Sequence, residues 1–89
     1  MTKTITIDID GNAHRLDLHR LLASAHEYGW RIQRRAGAWI VSLADHPFDS
    51  EGVAYASRGG AERAVAEGHI EELHVWGHDI DARCGPLTA

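Results

Sequence analysis

Residues 4–29 read TITIDIDGNAHRLDLHRLLASAHEYG, and this stretch carries the clearest folding signals of the chain. Isoleucine occupies every second position over residues 5–9, and such a period of two is typical of a half-buried β-strand. The dipeptide Asp10-Gly11 favours a tight hairpin turn, so we expect residues 13–16 to return as a second strand. The sequence therefore predicts a β-hairpin with one buried face.

An amphipathic helix is predicted directly after this hairpin. Leucine and alanine recur over residues 18–25 at the spacing i, i+3, i+4, i+7, which places them on one face of a helix. Asp17 is a preferred N-cap residue, and Gly29 favours the left-handed conformation that ends helices. We therefore expect a helix that begins after Asp17 and ends before Gly29.

The next part of the chain predicts a second hairpin. Residues 30–35 and 38–44 read as strands, joined either by Ala36-Gly37 alone or by a longer loop over residues 35–38. Both loops place Arg34 opposite Trp39, so we expect the arginine to lie over the indole ring. A loop over residues 45–52 and a third strand over residues 53–57 follow.

The C-terminal third predicts a helix and a final strand. Small apolar residues indicate a helix over residues 60–67 that ends at Gly68, because glycine commonly ends helices. Alternating side chains over residues 70–76 indicate a strand, and residues 82–89 read as a frayed tail. The predicted order is ββαβββαβ, a small α+β sandwich with one antiparallel sheet and two helices packed on one side. We expect residues 1–89 to form one domain with an ordered core over about residues 3–80.

Over residues 17–68 the order helix, three strands, helix resembles the layout of double-stranded-RNA-binding domains and of HicA-type toxins. In the HicA pattern a catalytic histidine follows the glycine of the first hairpin, whereas here Gly37 is followed by Ala38 and Trp39. The lysine-rich helix start of the RNA-binding domains is absent as well. The resemblance therefore implies a shared topology and carries over no functional residue.

Composition limits the classes of function. The chain has 89 residues, 44% of them apolar, and a net charge of −4, which disfavours general electrostatic binding to nucleic acid. Its single cysteine, Cys84, excludes an intramolecular disulfide. Neither a signal peptide nor a membrane span is evident, so we expect a cytoplasmic protein without membrane association and without a cofactor.

Arginine and tryptophan gather around the second hairpin. These residue types are the commonest anchors of protein–protein interfaces, and on a sheet they also stack on bases or contact phosphates. A solvated strand face is the simpler alternative. The candidate interaction residues are Arg31, Arg34, Arg35, Trp39, Arg58 and Trp76.

The stretch Ser57-Arg58-Gly59-Gly60 is a candidate anion-binding turn. Exposed amides at a helix N-terminus beside an arginine suit a phosphate or a carboxylate, and glycine lets a ligand approach the backbone closely. The alternative is structural: Ser57 caps the helix and the glycines form a tight turn.

The chain contains seven histidines, and several lie near its C-terminus. Imidazole and thiolate are preferred ligands of zinc, so His74, His78, Asp79 and Cys84 are candidate metal ligands, although their spacing matches no established motif. The alternative is an exposed histidine-rich face. Ser24 and His26 lie two positions apart and so point to different faces of the predicted helix, which gives nucleophilic catalysis no support.

These patterns favour a small non-enzymatic protein-interaction module. An inhibitor or adaptor of a host protein complex, of the kind that phages and mobile elements encode, such as an anti-CRISPR, is the expected class. One alternative is a nucleic-acid-binding module that uses the Arg31–Arg35 hairpin, and another is a histidine-rich metal- or pH-responsive regulator. Another protein is the expected partner, and strand edges with few lysines leave a homodimer open.

Overall fold

The computed structural model describes residues 3–44 and 52–86, which form a mixed α+β fold. The mixture of helices and antiparallel strands confirms the predicted fold class. The predicted loop at residues 45–52 lies, except for Gly52, outside the described residues. In chain order the elements are β1 (Thr4–Ile9), β2 (Asn12–Asp17), α1 (Leu18–Glu27), β3 (Trp30–Arg35), β4 (Ala38–Leu43), β5 (Val53–Tyr55), α2 (Arg58–Val75) and α3 (Ile80–Cys84).

The strands form two antiparallel sheets rather than one. Strands β1 and β2 make a two-stranded sheet, and β3, β4 and β5 make a three-stranded sheet in that order. Asp10 and Gly11 have φ angles of +50° and +85°, and Ala36 and Gly37 have +49° and +79°, as the type I′ turns of two-residue hairpins require. The second hairpin therefore has the shorter of the two loops considered, and it pairs Arg34 with Trp39 as predicted.

Helix α1 has the boundaries that the sequence predicts. The side chain of Asp17 accepts a hydrogen bond of 3.2 Å from the backbone N–H of Arg20, so it caps the first turn. Gly29 has a φ of +100°, the left-handed conformation that favours glycine after a helix.

Helix α2 corrects the C-terminal prediction. The helix runs through Gly68 to Val75, so both the predicted end at Gly68 and the predicted strand at residues 70–76 are wrong. A Cβ atom on residue 68 would lie 2.5 Å from Cη2 of Trp30, so this glycine permits close packing and does not end the helix. The buried residues recur at helical spacing across it: Ala61, Val65, Ala66, His69, Ile70 and Leu73.

The segment after α2 is a second correction. Residues 82–84 belong to helix α3, whereas a frayed tail was expected from residue 82. Asp79 caps this helix by accepting from Ala82 N–H at 3.1 Å, and Cys84 is buried. Arg20 donates to the carbonyl oxygen of Ala82 at 3.0 Å and also to that of Gly85, which ties the segment to α1. The observed order is therefore ββαβββαα, and residues 87–89 lie outside the description.

Two apolar clusters form the core. The first joins the β1–β2 hairpin to all three helices around Leu16, Leu21 and Leu73. The second lies between the β3–β5 sheet and helices α1 and α2, around Val41 and Val65. Both helices contribute to both clusters, so they hold the two sheets in one fold.

Candidate functional site

A groove of about 380 Å³ opens where helices α1 and α2 cross the β3–β5 sheet. Alternation along β3 turns Trp30 and Ile32 toward the helices, and they form the floor of the groove with Trp39 of β4. Its walls come from two successive turns of each helix. The lining residues are Leu22, His26, Trp30, Ile32, Trp39, Arg58, Glu62 and Val65.

Two arginines lie over Trp39 in this groove, an arrangement that we call the Trp39 clamp (Arg34, Trp39 and Arg58). The guanidinium carbon of Arg34 lies 5.3 Å from the centre of the indole, as expected from its position directly opposite Trp39. The guanidinium carbon of Arg58, the first residue of α2, lies 5.8 Å from the same ring. Each such cation–π contact stabilises its geometry by about 0.5–1 kcal/mol where it is exposed. The clamp therefore fixes two positive charges beside an apolar surface.

The described residues compensate the charges of the clamp only in part. Arg58 Nε lies 3.7 Å from Glu62 Oε2, one helical turn later, and the side chains are 70% and 16% exposed. Among residues 3–44 and 52–86, no carboxylate lies within ion-pair distance of Arg34. Because exposed ion pairs contribute little, the clamp keeps most of its capacity to bind an external acidic group.

The other two predicted arginines of the hairpin lie on the opposite face of the sheet. Arg31 Nη1 donates to the carbonyl oxygens of His26 and Trp30, at 2.9 and 2.8 Å, and so satisfies the C-terminal end of α1. Arg35 donates to Gln33 Oε1 at 2.9 Å. The predicted patch is therefore divided, and only part of it faces the groove.

Trp76 is distant from the groove, although it was predicted with the same patch. It is the C-cap of α2 and is 74% exposed. Arg58 begins that 18-residue helix, so a length of about 27 Å separates the two residues. Trp76 and the clamp belong to different surfaces.

At the predicted anion-binding turn, residues 57–60, the geometry is that of a capped helix start, which was the alternative to anion binding. Ser57 Oγ accepts from the backbone N–H of Gly60 at 3.1 Å, which makes Ser57 the N-cap of α2. Arg58 lies over Trp39 and pairs with Glu62. Anion binding at this turn stays a prediction.

The four predicted metal ligands occupy separate places. His74 Nε2 lies 2.9 Å from Asp10 Oδ2, and His78 Nε2 lies 3.4 Å from the hydroxyl of Tyr28. Asp79 caps α3, and Cys84 is buried. Burial raises the pKa of the Cys84 thiol, so the thiolate form that zinc prefers is disfavoured. Within the part of the chain that the structure describes, no three histidine, cysteine or acidic side chains converge on one point.

A buried polar network was missed by the sequence analysis. Ser24 Oγ lies 2.8 Å from His69 Nε2, and His69 Nδ1 lies 2.6 Å from Glu72 Oε1. Trp30 Nε1 donates to the same carboxylate oxygen at 2.7 Å. We call Ser24, His69, Glu72 and Trp30 the buried network. Sequence reasoning compared Ser24 only with His26, because its true partner lies 45 positions away.

The order of groups in the buried network is that of a serine–histidine–acid triad, but the network is closed to substrate. Ser24 is 9% exposed and His69 is 0% exposed. The ring of Tyr28 lies edge-on against His69 with the centroids 4.9 Å apart. Burial lowers the pKa of His69, while the hydrogen bond and charge of Glu72 act to raise it. A nucleophile must meet its substrate, so we assign this network to the stability of the fold.

Comparison of the chain with protein-family models, with curated proteins and with solved structures gives no match. Within the described ranges, none of the helices has the length and apolar character needed to cross a membrane.

Proposed function

We propose that this chain is a non-enzymatic protein-interaction module, an inhibitor or adaptor that holds its partner through the groove and the Trp39 clamp. The observation that carries the proposal is a tryptophan that lines an apolar groove and is contacted by two arginines. Tryptophan and arginine dominate the binding energy of protein interfaces, and such anchors cluster beside pockets that exclude water. The clamp presents these anchors in a fixed geometry, which lowers the entropic cost of binding.

Two observations favour a protein partner over nucleic acid. The hairpin arginines are divided between the two faces of the sheet, so they form no continuous basic strip for a phosphate backbone. Arg31 is engaged with backbone carbonyls, and the net charge of the chain is −4. Nucleic-acid-binding surfaces instead concentrate unpaired positive charge on one face.

The proposal is tested by affinity capture from cell lysate on the immobilised full chain, in parallel samples with and without nuclease. We expect a stoichiometric protein partner that survives nuclease and is lost with Trp39→Ala and with Arg34→Glu. Trp76→Ala is the matched control, because it removes an exposed tryptophan at the far end of α2 and should leave the complex intact. Circular dichroism of each variant verifies the fold.

A complex that persists in both groove variants would refute the proposed site. Loss of all bound material after nuclease would instead assign the chain to nucleic-acid binding. In that case the affinity should fall by orders of magnitude between about 50 and 200 mM salt.

A further inference from the structure

The apolar part of the groove is suited to one bulky side chain of a partner. Leu22, Ile32 and Val65 come from three different elements and line it together with the two indole rings. Its volume of about 380 Å³ lies at the lower end of the range for clefts that enclose a ligand, about 300–1,000 Å³. A groove of this size takes a short segment rather than a broad surface.

The rim of the groove is positive, in contrast to the chain as a whole. Arg34 and Arg58 both lie on Trp39, and Glu62, the one acidic residue of 3–44 and 52–86 that lines the groove, is paired with Arg58 and is mostly buried. The whole chain carries a net charge of −4. The groove is therefore a local positive region on an otherwise acidic protein, and it favours the binding of negatively charged segments.

The guanidinium groups of the clamp are suited to carboxylates. A guanidinium is planar and donates two parallel hydrogen bonds to one carboxylate, which makes such pairs both strong and directional. The contact between Arg58 and Glu62 is a single one, made through Nε at 3.7 Å. A carboxylate of a partner can thus bind the clamp without breaking a bidentate pair.

Building on the proposed function, we infer that the groove binds a short acidic peptide segment of the partner. One large aliphatic or aromatic side chain of the segment lies on the apolar floor, and a neighbouring aspartate or glutamate pairs with Arg34 and Arg58. The apolar contact supplies affinity and the carboxylate supplies selectivity.

The test is a selection of random linear peptides displayed on phage against the immobilised full chain, with counter-selection on Trp39→Ala. We expect enriched sequences that place an aspartate or glutamate beside a large apolar residue. A synthetic peptide of the enriched sequence should bind about tenfold more weakly to Arg34→Glu and to Arg58→Glu, the scale expected for one close charge pair. Replacing its acidic residue by the amide should weaken binding to the unaltered chain similarly.

Arg35→Glu is the matched control, because it makes the same charge reversal on the opposite face of the sheet, where the Arg35 side chain hydrogen-bonds only to the side chain of Gln33 among the described residues, and it should change the affinity less than about twofold. Enrichment of basic peptides, absence of enrichment, or full binding by Arg34→Glu would each overturn the inference. Trp39-dependent dimerisation in sedimentation experiments would overturn it too, by assigning the groove to a second copy of the chain. If partner capture depends on Trp39 but no acidic peptide is selected, the proposed function stands and this inference fails.

Discussion

The buried network and the Trp39 clamp each combine a tryptophan with charged or titratable side chains, yet they differ in solvent exposure and in how many of their polar groups have partners. In the network, the imidazole of His69 contacts a partner through both nitrogens, and Glu72 accepts from two groups. Within residues 3–44 and 52–86, no buried side-chain nitrogen or oxygen lacks a hydrogen-bond partner. In the clamp, Arg58 forms one ion pair, with Glu62, and Arg34 forms none with residues 3–44 and 52–86. We therefore assign the Ser24–His69–Glu72 arrangement to the stability of the fold. The candidate binding site instead contains Arg34 and Arg58, whose guanidinium groups have few acidic partners among the described residues.

Trp30 joins these two regions. Its ring lines the groove, and its indole N–H donates to Glu72 in the network. The buried network thus positions part of the groove floor.

The largest expected effect comes from His69→Ala. The substitution leaves Ser24 and Glu72 without their shared partner in a buried site and also creates a cavity, so the free energy of unfolding should fall by about 3 kcal/mol. Urea denaturation measures it. His19→Ala, at an exposed position of α1, is the control and should change stability by less than about 0.5 kcal/mol. Equal losses in the two variants would show that the network does not stabilise the fold.

Gly68→Ala should have the next largest effect. The new Cβ would lie 2.5 and 2.9 Å from atoms of the Trp30 ring, so the ring must move, at a cost of about 1–3 kcal/mol. Near-ultraviolet circular dichroism and urea denaturation report the shift of the ring and the loss of stability. Gly59→Ala, in the first turn of the same helix with no atom within 4 Å, is the control and should be neutral or stabilising. A stabilised Gly68→Ala variant would contradict the close packing described for Trp30.

Acidification should reduce the contribution of the buried network to the free energy of unfolding. Burial lowers the pKa of His69 below 6.5, so the unfolded state binds a proton more readily than the folded state does. The free energy of unfolding should therefore fall as the pH drops below about 6.5, by up to about 1.4 kcal/mol per pH unit. The measurement is urea denaturation at several pH values, and the difference between the unaltered chain and His69→Asn isolates this histidine from the others. Parallel curves for the two proteins would contradict the assignment.

The smallest expected effect on stability comes from the turn between β3 and β4, the strands that carry Arg34 and Trp39. Ala36 has a φ of +49°, a conformation that costs an alanine more than an asparagine or a glycine. Ala36→Asn should raise the free energy of unfolding by about 0.5–1 kcal/mol and leave partner binding unchanged, whereas Ala36→Val should lower it. Thermal and urea denaturation test both signs, and a gain with valine would rule out the strain at this turn.

Local signals correctly predicted the two hairpins and helix α1. The dipeptides Asp10-Gly11 and Ala36-Gly37 favour tight turns by their own backbone preferences. Helix α1 begins after Asp17, which caps it, and ends before Gly29, which adopts a left-handed conformation. The pairing of Arg34 with Trp39 follows from hairpin register alone, so the sequence is enough to place these two candidate residues side by side. Each of these features depends on residues that are close in the chain.

The tertiary structure decided the features that depend on distant residues. Gly68 reads locally as a helix end, but the ring of Trp30 packs against it and the apolar positions beyond it continue the buried face of α2. Ser24 contacts His69 only because α2 continues past Gly68. Arg31 is separated from the clamp because it lies on the other face of the sheet, and Trp76 because it lies at the other end of α2. By itself the sequence determined the turns, the caps, the register and the residue types of the site, since these are governed by local backbone preferences. Which side chains are buried together and which face a groove was decided by packing between elements, because burial depends on contacts that no short stretch of sequence contains.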